Sequence, residues 1–93
     1  MKFSMMSAEE HFDCAARIFA YQKLIFDGAI ERDRQYPETL VPGMTHLNSW
    51  AVPQDLREQD AFEILNEKRD ELIAEMEPDA IAKQAAKCMQ LVE

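Results

Sequence analysis

Glycine is scarce in this chain and proline is sparse: two glycines and four prolines in 93 residues. That excludes a collagen-like or low-complexity chain and leaves too few turn formers for an all-β fold of many tight hairpins. With only Gly28 and Gly43, no glycine-rich phosphate-binding loop can form. Cysteine is equally scarce. Cys14 and Cys88 give fewer staples than a small secreted domain normally needs. The segment from Met1 to Ser7 develops no apolar core before Glu9 and Glu10, so no signal peptide is expected. The expectation is a cytoplasmic protein with two reduced thiols. No apolar run approaches the ~20 residues of a membrane span. Basic residues number 10 against 18 acidic ones, a net charge of −8. That balance argues against direct contact with nucleic acid or an anionic membrane.

What is present is 47% hydrophobic and 30% charged residues, the balance of a folding domain and not of a disordered acidic tail. A chain of this length makes a single domain, residues 1–93. Ser7-Ala8-Glu9-Glu10 is a capping box, so a first helix is predicted over about 8–34, with Pro37 disfavouring helix beyond. Phe12, Ala15, Ala16, Phe19, Phe26 and Ile30 share one face, flanked by Cys14, Ile18, Tyr21 and Ile25. This apolar sector is wider than the stripe of about 100° that an outer helix needs. Such a helix is either central in its fold or packed against a second copy of itself.

Residues 35–53 hold three of the four prolines and the turn signal Pro42-Gly43, and read as a long apolar loop. A second helix is expected over 54–76, with Pro53 and Asp55 at its start and Ala61, Phe62, Leu65, Leu72, Ile73 and Met76 inward. A third is expected over 78–92, with Pro78 in its first position and Ile81, Ala85, Cys88 and Val92 on one face. The predicted fold is all-α: a three-helix bundle with a long loop between helices 1 and 2. Its core would hold Phe12, Phe19, Phe26, Phe62, Leu65, Leu72, Ile81 and Cys88. A core this small makes homodimerisation through helix 1 a reasonable expectation.

The charge is unevenly distributed. Residues 54–77 carry three basic and nine acidic side chains, and so supply −6 of the −8. Asp60, Glu63, Glu67, Asp70, Glu71 and Glu75 fall opposite Phe62 and Leu65 on the wheel. Glu63, Glu67, Glu71 and Glu75 follow at steps of four, each like-charged pair costing an isolated helix ~0.2–0.5 kcal/mol. One reading is a solvated face of an acidic protein. The sharper one is a row of carboxylates that imitates nucleic acid and docks on a partner's phosphate-binding surface.

Other chemistry is weakly supported. His11 and Cys14 lie one helical turn apart, but zinc would also need His46 and Cys88, without closely spaced ligand pairs. The plainer expectation is an exposed His11 in the first turn and a core Cys14. A nucleophilic pair of Cys14 or Cys88 with His46 has no motif behind it. Glu63, Glu67 and Asp70 could serve a small Mg²⁺-dependent all-α nucleotide hydrolase, but they face outward and not into a pocket. Trp50 and Met44 are the residue types found at the centres of interfaces.

The reading that results is a stoichiometric protein-binding module without cofactor. It is an inhibitor or adaptor in the style of phage-encoded inhibitors of host enzymes and defence complexes. Asp60, Glu63, Glu67, Asp70, Glu71 and Glu75 would carry the electrostatics, with Trp50 and Met44 as anchors. The partner would be a protein with a basic nucleic-acid-binding surface. The alternatives are the Mg²⁺-dependent hydrolase and a structural or toxin–antitoxin-like oligomer.

Overall fold

Ser7 opens the first helix as its sequence predicts. Its Oγ accepts from the Glu10 N–H at 3.1 Å, and the Glu10 carboxylate accepts from the Ser7 N–H at 2.9 Å. Two donors left over at the helix start are thereby satisfied reciprocally. In the computed structural model, which describes residues 2–30 and 38–92, this helix, α1, spans Ala8–Phe26. It stops short of the expected 34 (residues 31–34 lie outside those described). The stop is chemical. Gly28 takes φ +82°, its N–H reaches the Ile25 carbonyl at 3.1 Å, and the Ala29 N–H reaches that of Leu24 at 2.9 Å. This is a Schellman motif, and only glycine adopts its left-handed residue at little cost. Phe26 belongs to the final turn and is 76% exposed, so it is not in the core. It shares the azimuth of Phe19 but lies two turns beyond it, past the side chains that cover Phe19.

The stretch expected to be a loop contains a helix instead: α2, Leu40–Ala51. Pro42 is its third residue, where a backbone N–H would have no intrahelical partner anyway. The Glu38 carboxylate accepts from the N–H groups of Leu40 at 2.7 Å and Val41 at 3.0 Å, completing the start. Gly43 is not a turn residue here. A Cβ at that position would stand 2.9 Å from Phe19 Cε2, so glycine is what lets α2 lie against α1. The apolar character of the stretch is explained in the same way, because Leu47 and Ala51 are buried.

A 3-10 turn, Val52–Gln54, follows and contains Pro53. Asp55 then takes φ 54° in the left-handed region. These two features delay α3 to Glu58–Glu75, four residues later than expected at its start. The last helix, α4, is Pro78–Gln90, with proline in its first turn as predicted. The described residues thus contain four α-helices and no strand, an all-α fold with one helix more than predicted.

α1 is central. It packs against α2, α3 and α4, which touch one another far less. Ala15, Ala16 and Phe19 meet Leu47 and Ala51 of α2 and Ala61, Leu65 and Leu72 of α3. Cys14 and Ile18 meet Ala85 and Cys88 of α4, and Ala20 and Leu24 meet Ile81. Phe12 and Phe62, expected in the core, are only partly buried at its edge. The wide apolar sector of α1 is therefore covered within the chain, and it supplies no reason for a second copy.

The two cysteines are not free thiols. Cys14 of α1 and Cys88 of α4 form a disulfide, with Cα atoms 5.3 Å apart and a sequence separation of 74. The apolar positions that predicted burial for each are the positions at which the two helices meet. The bond removes the argument from cysteine usage for a reducing compartment. No described helix is long and apolar enough to cross a membrane.

Candidate functional site

The carboxylate row of α3 is built by periodicity alone. Ala61, Leu65 and Leu72 turn inward, so Asp60, Glu63, Glu67, Asp70, Glu71 and Glu75 turn outward, and all six are exposed. Asp70 accepts from Arg69 Nε at 3.0 Å, and Arg69 also donates to Asn66 Oδ1 at 3.1 Å. Among the described residues the other five acidic side chains form no ion pair. The last turn of α3 holds no basic residue, so Glu71 and Glu75 stand uncompensated at the negative end of the helix dipole. The row can attract cations or a basic surface. It cannot enclose a metal: among the described residues, no three His, Cys, Asp or Glu side chains converge on one point. Glu63, Glu67 and Asp70 are thus not arranged as a Mg²⁺ ligand set.

Trp50 and Met44 stand elsewhere. The Trp50 ring packs on Phe12 of α1, with centroids 4.5 Å apart. Met44, with Leu47, Ala51, Leu56, Ala61 and Phe62, lines a cavity of about 290 Å³ between α2 and α3. Ala61 and Phe62 lie on the face of α3 opposite the carboxylate row, so Met44 is not brought to that row. The more exposed apolar side chains of this region are not the two expected anchors but other members of the apolar 35–53 stretch: Leu40 at 55%, Val41 at 63% and Val52 at 70% exposure. No charged residue occurs from Thr39 to Gln54, so the only charge beside these side chains within α2 and its N-terminal flank is the Glu38 carboxylate at the helix start.

The histidines form a buried polar pair that sequence reasoning missed. His11, expected to be exposed, is 6% exposed, and His46 is fully buried. Their Nδ1 atoms are 2.9 Å apart, and His46 Nε2 lies 2.9 Å from the Cys88 carbonyl oxygen. Phe3 lies against both rings, with centroids 4.5 and 5.3 Å away. The tautomers follow from the network. A carbonyl only accepts, so His46 Nε2 carries the proton and its Nδ1 is the acceptor. His11 Nδ1 must then donate. Burial pushes both imidazoles below their ordinary range. Glu10 opposes this for His11, and the Cys88 carbonyl opposes it for His46. Both rings are neutral at pH 7.

The four candidate zinc ligands, His11, Cys14, His46 and Cys88, form two separate pairs and no group of three among the described residues. Their donor atoms are committed to one another, sulfur to sulfur and imidazole to imidazole. The same disulfide removes the proposed Cys–His nucleophile. The available signal was the helical spacing of Gly43, His46 and Leu47, which puts His46 on a buried face once α2 is seen to be a helix. Comparison with known proteins finds no matching family model, no matching curated protein and no matching solved structure.

Proposed function

We propose that the protein acts by stoichiometric binding, as an inhibitor or adaptor whose α3 carboxylates occupy a basic, phosphate-binding surface of another protein. The observation that supports this reading is the exposed acidic row itself, five of whose six members have no ion partner among the described residues. A helix face selected for stability alone would alternate its signs. Arg and Lys side chains placed to grip phosphates would grip these carboxylates by the same charge-assisted hydrogen bonds. Trp50, packed on Phe12, and Met44, beside Phe62, lie off this face, so the carboxylates alone would carry the contact. A cytoplasmic location belongs to the same proposal.

Self-association belongs to the same proposal, moved to a different surface. With α1 covered, the exposed apolar side chains of Leu40, Val41 and Val52 are where two copies of a chain with charge −8 would meet, with the Glu38 carboxylate at the edge of that contact. Light scattering across a concentration series reads the mass.

The test of binding is capture from lysate by the tagged wild-type protein and by the Glu63→Lys, Glu67→Lys, Asp70→Lys variant. A basic nucleic-acid-binding protein should be retained by the wild type, released by high salt and by added double-stranded DNA, and absent with the variant. Exposed charges are screened beyond ~8 Å at physiological ionic strength, so the salt response should be steep. Equal retention by the variant, with its helix content intact, would reduce the row to solvation.

A further inference from the structure

The disulfide is not sealed inside the molecule. Cys14 and Cys88 both line a solvent-open pocket of about 290 Å³ between α1 and α4, walled by Met6 and Leu91 and edged by Arg17 and Lys87. Cys14 and Cys88 are 7% and 6% exposed, so the pocket is their route to solvent, and its volume is that of a small molecule. The charges at the edge are unequal in freedom. Arg17 is held by Gln84 Oε1 at 2.6 Å and by the Asp13 carbonyl at 3.0 Å. The carboxylate of Glu10 is held by the Ser7 N–H, and that of Asp13 lies 4.0 Å from Arg17. Lys87, next in sequence to Cys88, is exposed and forms no ion pair among the described residues. The pocket edge thus carries two cations, Arg17 and Lys87, and two carboxylates, Glu10 and Asp13, a set that suits a thiol bearing both ammonium and carboxylate groups, with Lys87 the cation next to the disulfide in sequence.

We propose that Cys14–Cys88 is a thiol-exchange site, entered through this pocket by a small anionic thiol of the glutathione class, whose reaction unlatches α4 from α1. The incoming thiolate forms a bond to one Sγ as the Cys14–Cys88 bond breaks, and the other Sγ leaves as a thiolate. A second thiol then attacks the mixed disulfide. Two thiols are oxidised to one external disulfide, and the protein disulfide is reduced to two thiols. Lys87 favours both the approach of the anionic thiol and the thiolate that leaves. Because Cys88 also supplies the carbonyl that receives His46 Nε2–H, release of α4 is felt at the histidine pair.

The experiment uses the folded full chain and follows reduction by intact mass with glutathione and with the uncharged 2-mercaptoethanol. The rate should rise in proportion to thiol concentration, with a glutathione adduct as intermediate. Lys87→Glu should slow glutathione about fivefold relative to 2-mercaptoethanol, and Lys87→Gln by less, from the Coulomb energy of a near-surface charge. A rate that levels off with thiol concentration means that the sulfurs react only after global unfolding, and overturns the proposal. So does an unchanged ratio of the two thiols in both variants.

Discussion

Two imidazoles that share one hydrogen bond can take one extra proton between them without breaking it. A proton on His11 Nε2 leaves the Nδ1–H donor in place, whereas a proton on His46 Nδ1 sets two donors against each other at 2.9 Å. Both groups are held below the ordinary value of 6.5 by burial. The unfolded chain therefore binds more protons than the folded one just below that value, and stability must fall with acidification. The urea midpoint should be level above about pH 7 and decline from about pH 6.5 toward pH 5. A midpoint that holds or rises over that window would refute the pairing. Glu10, whose carboxyl is lowered from 4.5 by the Ser7 hydrogen bonds, adds its own loss only at more acid pH, so the two windows are separate. None of this is legible from the residues singly. His11 and His46 are 35 positions apart, and no periodicity announces a pair. At the same scale, Gly43→Ala would push a methyl into Phe19. The expected loss is ~1–3 kcal/mol of stability, measured by denaturant unfolding, with the overpacking mechanism as its cause.

At the scale of the element, α3 carries a conflict between stability and charge. Glu67 repels Glu63 and Glu71, each one turn away, and a lysine in its place turns both contacts favourable. Glu67→Lys should therefore stabilise the isolated protein by ~0.5–1 kcal/mol while weakening the proposed partner contact. Thermal unfolding reads the first change and the capture assay the second. A variant that is more stable and binds as well as the wild type would leave the row without a purpose. The starts of α1 and α4 could be read from capping and proline rules, because those rules act within four residues of chain. The identity of α2 could not. Pro42-Gly43 carries the local signature of a turn, and it is a helix because the missing Cβ allows contact with Phe19, 24 residues earlier.

Across the whole molecule, one helix is covered by three and one covalent bond ties the first to the last. Reduction of Cys14–Cys88 frees a closed loop spanning 74 positions. Chain entropy then predicts a loss of about 4 kcal/mol, measured as the shift in urea-unfolding free energy between oxidised and reduced protein. A shift near zero would show that the helices pack equally well without the bond. The sequence alone determined the features that depend on neighbouring residues or on one helix's own periodicity. These are the all-α class, the cap at Ser7, the proline start of α4 and the outward carboxylate row. Tertiary structure alone decided the features that need two distant segments to meet. These are the end of the loop reading at 40–51, the burial of His11 against His46, the joining of Cys14 to Cys88, and the covering of α1 from within. Local rules report the conformation a segment prefers, whereas its partners are set by how four apolar faces close around one helix, and that is a property of the assembled chain.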